Sequence, residues 1–255
     1  MMRRVAHAVS VLVASVVLHA ACASFGTTAT PESDSGTDAA TARFCPGGAD
    51  ALFCADFDGA EALEGWDIPV KKLGGTLAGI GDDPTKSRLL EAAIQPVPAG
   101  TDSSEAQLLE GVSRLGSRGV SVDVDIDLDE VEAMPETEDV KTVSVAITLA
   151  PPRLVTLVFK PGHQGAVVVF PSADPKSTLF HPFKRPVRSG LVHYRLETDF
   201  DKGTVSLAIE TIPVVSSEAS ITSAPIEQVL VTSGAVGRPA TRVAVRYDNY
   251  RVAKL

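Results

Sequence analysis

The chain predicts an all-β fold, an antiparallel β-sandwich of jelly-roll type, on three observations. Short apolar runs with period-two alternation recur from Phe53 to the C-terminus. Turn signals rich in Gly and Pro separate them, and no stretch carries the periodicity of a long helix. Roughly a dozen strands are expected, and a single domain of that size is normal for a sandwich.

The clearest alternation is Val120-Ser121-Val122-Asp123-Val124-Asp125-Ile126-Asp127-Leu128-Asp129, with every even position aliphatic and every odd one polar. That is the period of a half-buried strand. Before it come Phe53-Cys54-Ala55-Asp56-Phe57-Asp58, Thr76 to Ile80 and Arg88 to Ala92, the last two divided by the turn Gly81-Asp82-Asp83-Pro84. Ser104 to Val112 is helix-friendly in composition. It is assigned as a strand, because an isolated short helix would interrupt an even strand series. After it come Val140 to Leu149, Leu154 to Lys160 and, past the turn Gly162-His163-Gln164-Gly165, Ala166 to Phe170. Tyr194 to Phe200 and Thr204 to Glu210 flank Asp201-Lys202-Gly203, a hairpin loop with glycine where positive φ is needed. Ile226 to Val231 and Arg242 to Val252 close the series.

Ahead of this domain, assigned to residues 44–255, lie two other segments. Residues 1–21 have the parts of a secretory signal: Arg3 and Arg4, the apolar run Val5 to Leu18, and the small exit Ala20-Ala21. The run is too short to span a hydrocarbon core of about 30 Å as a helix. Leu18-His19-Ala20-Ala21-Cys22 resembles a bacterial lipobox, with His19 where an apolar residue is usual. The resemblance implies lipidation at Cys22 and a membrane anchor; ordinary cleavage, discarding Cys22, is the alternative. Ala23 after Cys22 fits passage to the outer membrane. Residues 22–43 hold almost nothing to bury and form a disordered tether. The protein is thus expected to be exported and held at the envelope.

Cys45 and Cys54 bracket the turn-forming run Pro46 to Asp50, and in an exported protein that pair is expected to be oxidised. Closing so short a loop contributes on the order of 2.5–3 kcal/mol in the chain-entropy model. Net charge is −9 with no run of Lys or Arg, which argues against a nucleic-acid partner.

The Asp56-Phe57-Asp58 opening, Gly65-Trp66, the alternating strand after Gly119 and the terminal Tyr247-Asp248-Asn249-Tyr250-Arg251-Val252 together resemble the concanavalin A-like lectin/glucanase (LamG-like) jelly roll. The resemblance covers Phe53 to Leu255. It implies a module for a polysaccharide or cell-surface glycan, though fold alone does not choose among the family's binders and hydrolases. It also implies a structural calcium ion near the paired first and last strands, held by Asp56, Asp58 and Asp248. The competing reading is that Asp248-Asn249 makes a turn or bulge.

Glycoside hydrolases of that fold carry Glu-x-Asp-x-Glu on a strand. The row Asp123, Asp125, Asp127 and Asp129 invites that comparison, and Asp125-Ile126-Asp127-Leu128-Asp129-Glu130 fits the frame by position only. Strand positions i and i+4 lie about 13 Å apart at Cα, a retaining pair needs carboxyls about 5–5.5 Å apart, and aspartate is the shorter side chain. The row is therefore read as a solvated acidic face. His163, His181 and His193 lack a second ligand or nucleophile at useful spacing, and no GxSxG, HExxH or phosphate-loop motif occurs. No catalytic residue is assigned, and the expectation is a non-catalytic binding module.

Trp66, Tyr194 and Tyr250 are the candidate sugar-stacking rings, although a Trp after a glycine, as Trp66 is, is more often a core plug under the first strand than a platform. Tyr247 and Tyr250, three apart, should face opposite sides of a strand. The Ser172 to Arg188 stretch concentrates Lys176, Lys184, Arg185 and Arg188 in an acidic chain. It is the candidate recognition loop, with His181, Lys184 and Arg185 as contacts. A protein-interaction module without a sugar site, and a divergent hydrolase, are the alternatives. Exposed aromatics favour the glycan binder, a wholly polar face the interaction module, and convergent carboxylates the hydrolase.

Overall fold

A computed structural model describes residues 50–57, 63, 65–81, 88–98, 100–113, 118–147, 153–171, 175–219 and 228–255. The signal and tether segments, Cys22, Cys45 and Asp58 lie outside them. Two antiparallel sheets form the sandwich. The strands are β1 (Ala51–Ala55), β2 (Ile68–Lys72), β3 (Thr76–Ile80), β4 (Leu89–Ile94), β5 (Ser104–Ser113), β6 (Gly119–Asp127), β7 (Val140–Ile147), β8 (Arg153–Lys160), β9 (Gln164–Phe170), β10 (Leu179–Lys184), β11 (Val192–Asp199), β12 (Thr204–Ile209), β13 (Ile212–Glu218), β14 (Gln228–Gly237) and β15 (Val243–Lys254). One single-turn helix, α1 (Asp129–Glu132), follows β6.

The first sheet runs β13-β12-β11-β6-β15-β4-β3, with β1 pairing the C-terminal half of β15. The second runs β10-β9-β8-β7-β14-β5-β2. The opening and closing strands therefore pair antiparallel, Ala55 opposite Tyr250. Alternation sets which face is buried. Val120, Val122, Val124 and Ile126 of β6 join Val192, Tyr194 and Leu196 of β11 and Val243, Val245 and Val252 of β15 in the core. The intervening residues of these strands form the outer face of the first sheet.

Three sequence expectations change. The alternating strand stops at Asp127, and Asp129 opens α1 instead of extending the row. The Asp127 carboxylate accepts the Asp129 N–H at 2.9 Å, an Asx-type bond that diverts the backbone. The Ser172 to Arg188 stretch is not all loop, since Leu179–Lys184 is strand β10 at the edge of the second sheet. Pro182 is tolerated because that position is an edge. Tyr247 and Tyr250 do not face opposite sides: both are fully buried. The register of β15 on β6 shifts between Asp248 and Arg251, and Asn249 takes φ +52°. That bulge absorbs one residue and turns both rings inward.

Aromatic packing closes one end of the core. The ring centroid of Trp66 lies 4.8 Å from Phe53 and 5.0 Å from Tyr250. A second group joins Phe159 to Tyr194 at 5.3 Å and to Phe183 at 6.1 Å. The sandwich is close-packed at β14, where a Cβ on Gly234 would lie 2.2 Å from the Ala106 carbonyl oxygen.

Candidate functional site

The three central strands of the first sheet, β11, β6 and β15, bring together the charged residues of its outer face. Pairing places His193 opposite Asp125 and Arg195 opposite Asp123. On the other side of β6, Asp248 stands opposite Asp125 and Arg251 opposite Asp123. Cross-strand neighbours sit with Cβ atoms about 4.5–5.5 Å apart, so a period-two polar row becomes a cluster only through this register.

His193 lies between two carboxylates. Its Nδ1 is 2.8 Å from Asp125 Oδ1, and its Nε2 is 3.5 Å from Asp123 Oδ1. Asp123 also accepts a hydrogen bond from Arg195 Nε at 2.5 Å. Asp125 accepts one from Asn249 Nδ2 at 2.7 Å. The positive φ of Asn249 thus serves both the bulge and this contact.

Asp123 is nearly buried, whereas the His193 side chain keeps 30% of its exposure. Burial alone would raise both carboxyls. Bonds from His193 and Arg195 to Asp123, and from His193 and Asn249 to Asp125, overcome it and hold both below the ordinary carboxylate range. The same contacts, with Asp123 and then Asp125, push His193 up to about 9. At neutral pH the centre is a protonated imidazole between two ionised carboxylates, able to give a proton to a bound ligand.

Beside it lies a second network. Arg246 contacts Glu91, Asp127 and Glu130, and Arg242 contacts Glu91 and Glu130. On the other flank, a depression of about 350 Å³ is lined by Arg118, Glu197, Asp199, Lys202, Ser206 and Ser216 among others.

The predicted stacking rings are elsewhere. Trp66 is in the core as a plug, and Tyr194 and Tyr250 are fully buried, so none offers a face to a sugar. Burial raises Tyr194 to about 12 and Tyr250 further, which keeps both phenols neutral. Among the predicted recognition residues, Lys184 is exposed and His181 half-buried on edge strand β10. The Arg185 side chain is 5% exposed, paired with Glu132 and lying 5.4 Å from the Phe159 ring centre. Arg185 is a buried cation held in the framework by the Glu132 carboxylate and the Phe159 ring, not an exposed contact. Among the described residues no group of three or more His, Cys, Asp or Glu is arranged to hold a metal ion. Asp248 is buried, with Oδ1 accepting the Asn249 N–H at 2.8 Å.

Sequence reading missed His193 and Arg195 as partners of the aspartate row. The signal available was a second alternating strand, His193-x-Arg195-x-Glu197, of mainly opposite charge to the row it faces. The solvated-face reading of Asp123 and Asp125 is corrected: both are drawn into ion pairs.

No protein-family model and no curated relative matches the sequence. The fold is shared with an endo-β-1,4-glucuronan lyase from Trichoderma reesei at TM-score 0.62 and 13% identity, covering 80% of this chain and 96% of the lyase. It is also shared with the cellulose induced protein Cip1 at TM-score 0.55 and 13% identity, over 80% and 97% of the two chains. A carbohydrate esterase from bacteriophage phi24B gives TM-score 0.53 and 12% identity over 80% and 98%. The expectation of a chain without catalytic function is therefore corrected. This fold carries a lyase and an esterase, and the face read as solvated holds His193 in contact with two carboxylates.

Proposed function

We propose that the protein is an enzyme acting on a polysaccharide, which it binds across the outer face of the first sheet and cleaves at a glycosidic bond. The observation that carries this reading is His193 held between Asp123 and Asp125 on the central strands. Leaving-group departure needs a proton, and a half-buried imidazolium next to ionised carboxylates supplies it. The jelly-roll neighbours named for glucuronan lyase and carbohydrate esterase activity support the substrate class. The polar character of the face means that hydrogen bonds and charge, not aromatic stacking, hold the chain.

The test is to incubate the full chain with a panel of polysaccharides. New reducing ends report any cleavage, and ultraviolet absorbance of an unsaturated product reports elimination alone. Cleavage of one class is expected, abolished in His193→Gln. Activity should fall as pH rises through about 9, where His193 loses its proton. The charged groups facing it are Asp123 and Asp125 from β6 and Glu210 after β12, whose Oε1 lies 3.4 Å from the His193 N–H nitrogen. Full activity in His193→Gln, or no cleavage of any polymer, would overturn the reading. We also infer that export, lipidation at Cys22, a Cys45–Cys54 staple and a calcium ion at Asp56, Asp58 and Asp248 accompany this activity. Intact-mass analysis of the non-reduced protein from its membrane fraction, and calcium titration, check them.

A further inference from the structure

On the same face, and resting on the reading above, we infer that Arg195 and Arg251 form a subsite for the carboxylate of an acidic sugar, so that the substrate is a uronate-containing polysaccharide. The pairing of β11, β6 and β15 sets Arg195 and Arg251 on either side of Asp123. This row holds two guanidinium groups against one carboxylate. Arg195 uses Nε for Asp123, and its side chain remains 49% exposed. Both of its Nη groups are left over by that bond, in the planar fork that matches a carboxylate.

Arg251 is the more informative partner. It is half-buried, its Nε is shielded from solvent without a hydrogen-bond acceptor, and it forms no ion pair among the described residues. Its cross-strand row leaves it without a carboxylate of its own, and an incoming carboxylate would supply one. The neighbouring cations lack this property, since Arg242, Arg246 and Lys202 all have carboxylate partners. One incoming carboxylate would balance the Asp123 row and pair with the Arg251 guanidinium while leaving the Arg195–Asp123 bond intact. The net charge of −9 opposes approach of a polyanion at long range. At physiological ionic strength that repulsion is screened beyond about 8 Å, so the contact pair decides recognition.

The experiment compares polyglucuronate, polygalacturonate and alginate, each with its carboxyl-reduced neutral form, for binding and cleavage by the full chain. At least one acidic polymer should be preferred over its neutral form by about tenfold or more. Arg251→Gln should remove that preference, and Arg251→Lys should retain part of it. Melting temperature separates loss of recognition from loss of fold, and the Gln variant should melt as the parent does. Equal use of acidic and neutral forms, or an unchanged preference in a folded Arg251→Gln, would overturn the inference. Cleavage of neutral glucans alone would overturn the uronate subsite and leave the polysaccharide enzyme standing. Failure on every polymer would remove both.

Discussion

Replacing Asp125 with Asn tests the centre with the smallest change of shape. The substitution keeps the side-chain volume and removes the charge that lies 2.8 Å from His193. Asp123 is the less clean target, because it also holds Arg195. The rise of His193 from 6.5 to about 9 corresponds to about 3 kcal/mol of preferential proton binding by the folded state. With 30% of the His193 side chain in contact with solvent, screening reduces the expected loss to about 1–2 kcal/mol.

The sign follows from linkage. A histidine whose folded pKa is raised stabilises fully below its unfolded value near 6.5, and that contribution disappears as pH rises through about 9. Asp125 is lowered, so its own contribution is lost only as pH falls through the acid range. The stability gap between parent and Asp125→Asn should be open near pH 6 and closed by about pH 9–10. Denaturant unfolding across that range measures the gap, and NMR titration of the ring follows His193 directly. In the variant, His193 should titrate closer to its ordinary value. A parent His193 already titrating near 6.5, or a gap that ignores pH, would refute the argument.

Two further substitutions probe the framework that positions the face. Glu132→Gln leaves the Arg185 guanidinium buried beside Phe159 without its carboxylate, and should cost about 3 kcal/mol in denaturant unfolding. The double variant Glu132→Gln with Arg185→Met should recover part of that, and a cost below about 1 kcal/mol would show that the pair is not the stabilising unit. Gly234→Ala forces a methyl toward the Ala106 carbonyl at φ +151°, in the β14 bulge whose carbonyl accepts the Tyr247 hydroxyl. It should cost about 3 kcal/mol or more and speed hydrogen exchange along β5. A parent-like melt would contradict the close approach.

Much of the sandwich was legible because strand alternation is local. Val120 to Ile126 declares its buried face residue by residue, and Asp201-Lys202-Gly203 declares its hairpin without reference to distant chain. Strands β2, β10 and β13 escaped, since they are edge or near-edge elements with proline or mixed polarity. Pairing to a neighbour, not burial, makes them strands.

What the sequence determined alone is the all-β class and the inward and outward sets on each central strand, because side-chain direction follows from a two-residue period. Only the tertiary structure decided which outward residues meet. His193 and Asp125 are far apart along the chain, and their contact depends on β11 pairing β6 in one register. A slip of one residue would turn His193 into the core and dissolve the centre. The same holds for Tyr247 and Tyr250: Asp248-Asn249 offered a turn or bulge as one of two readings, and only the pairing of β15 with β6 decided for the bulge that buries both rings.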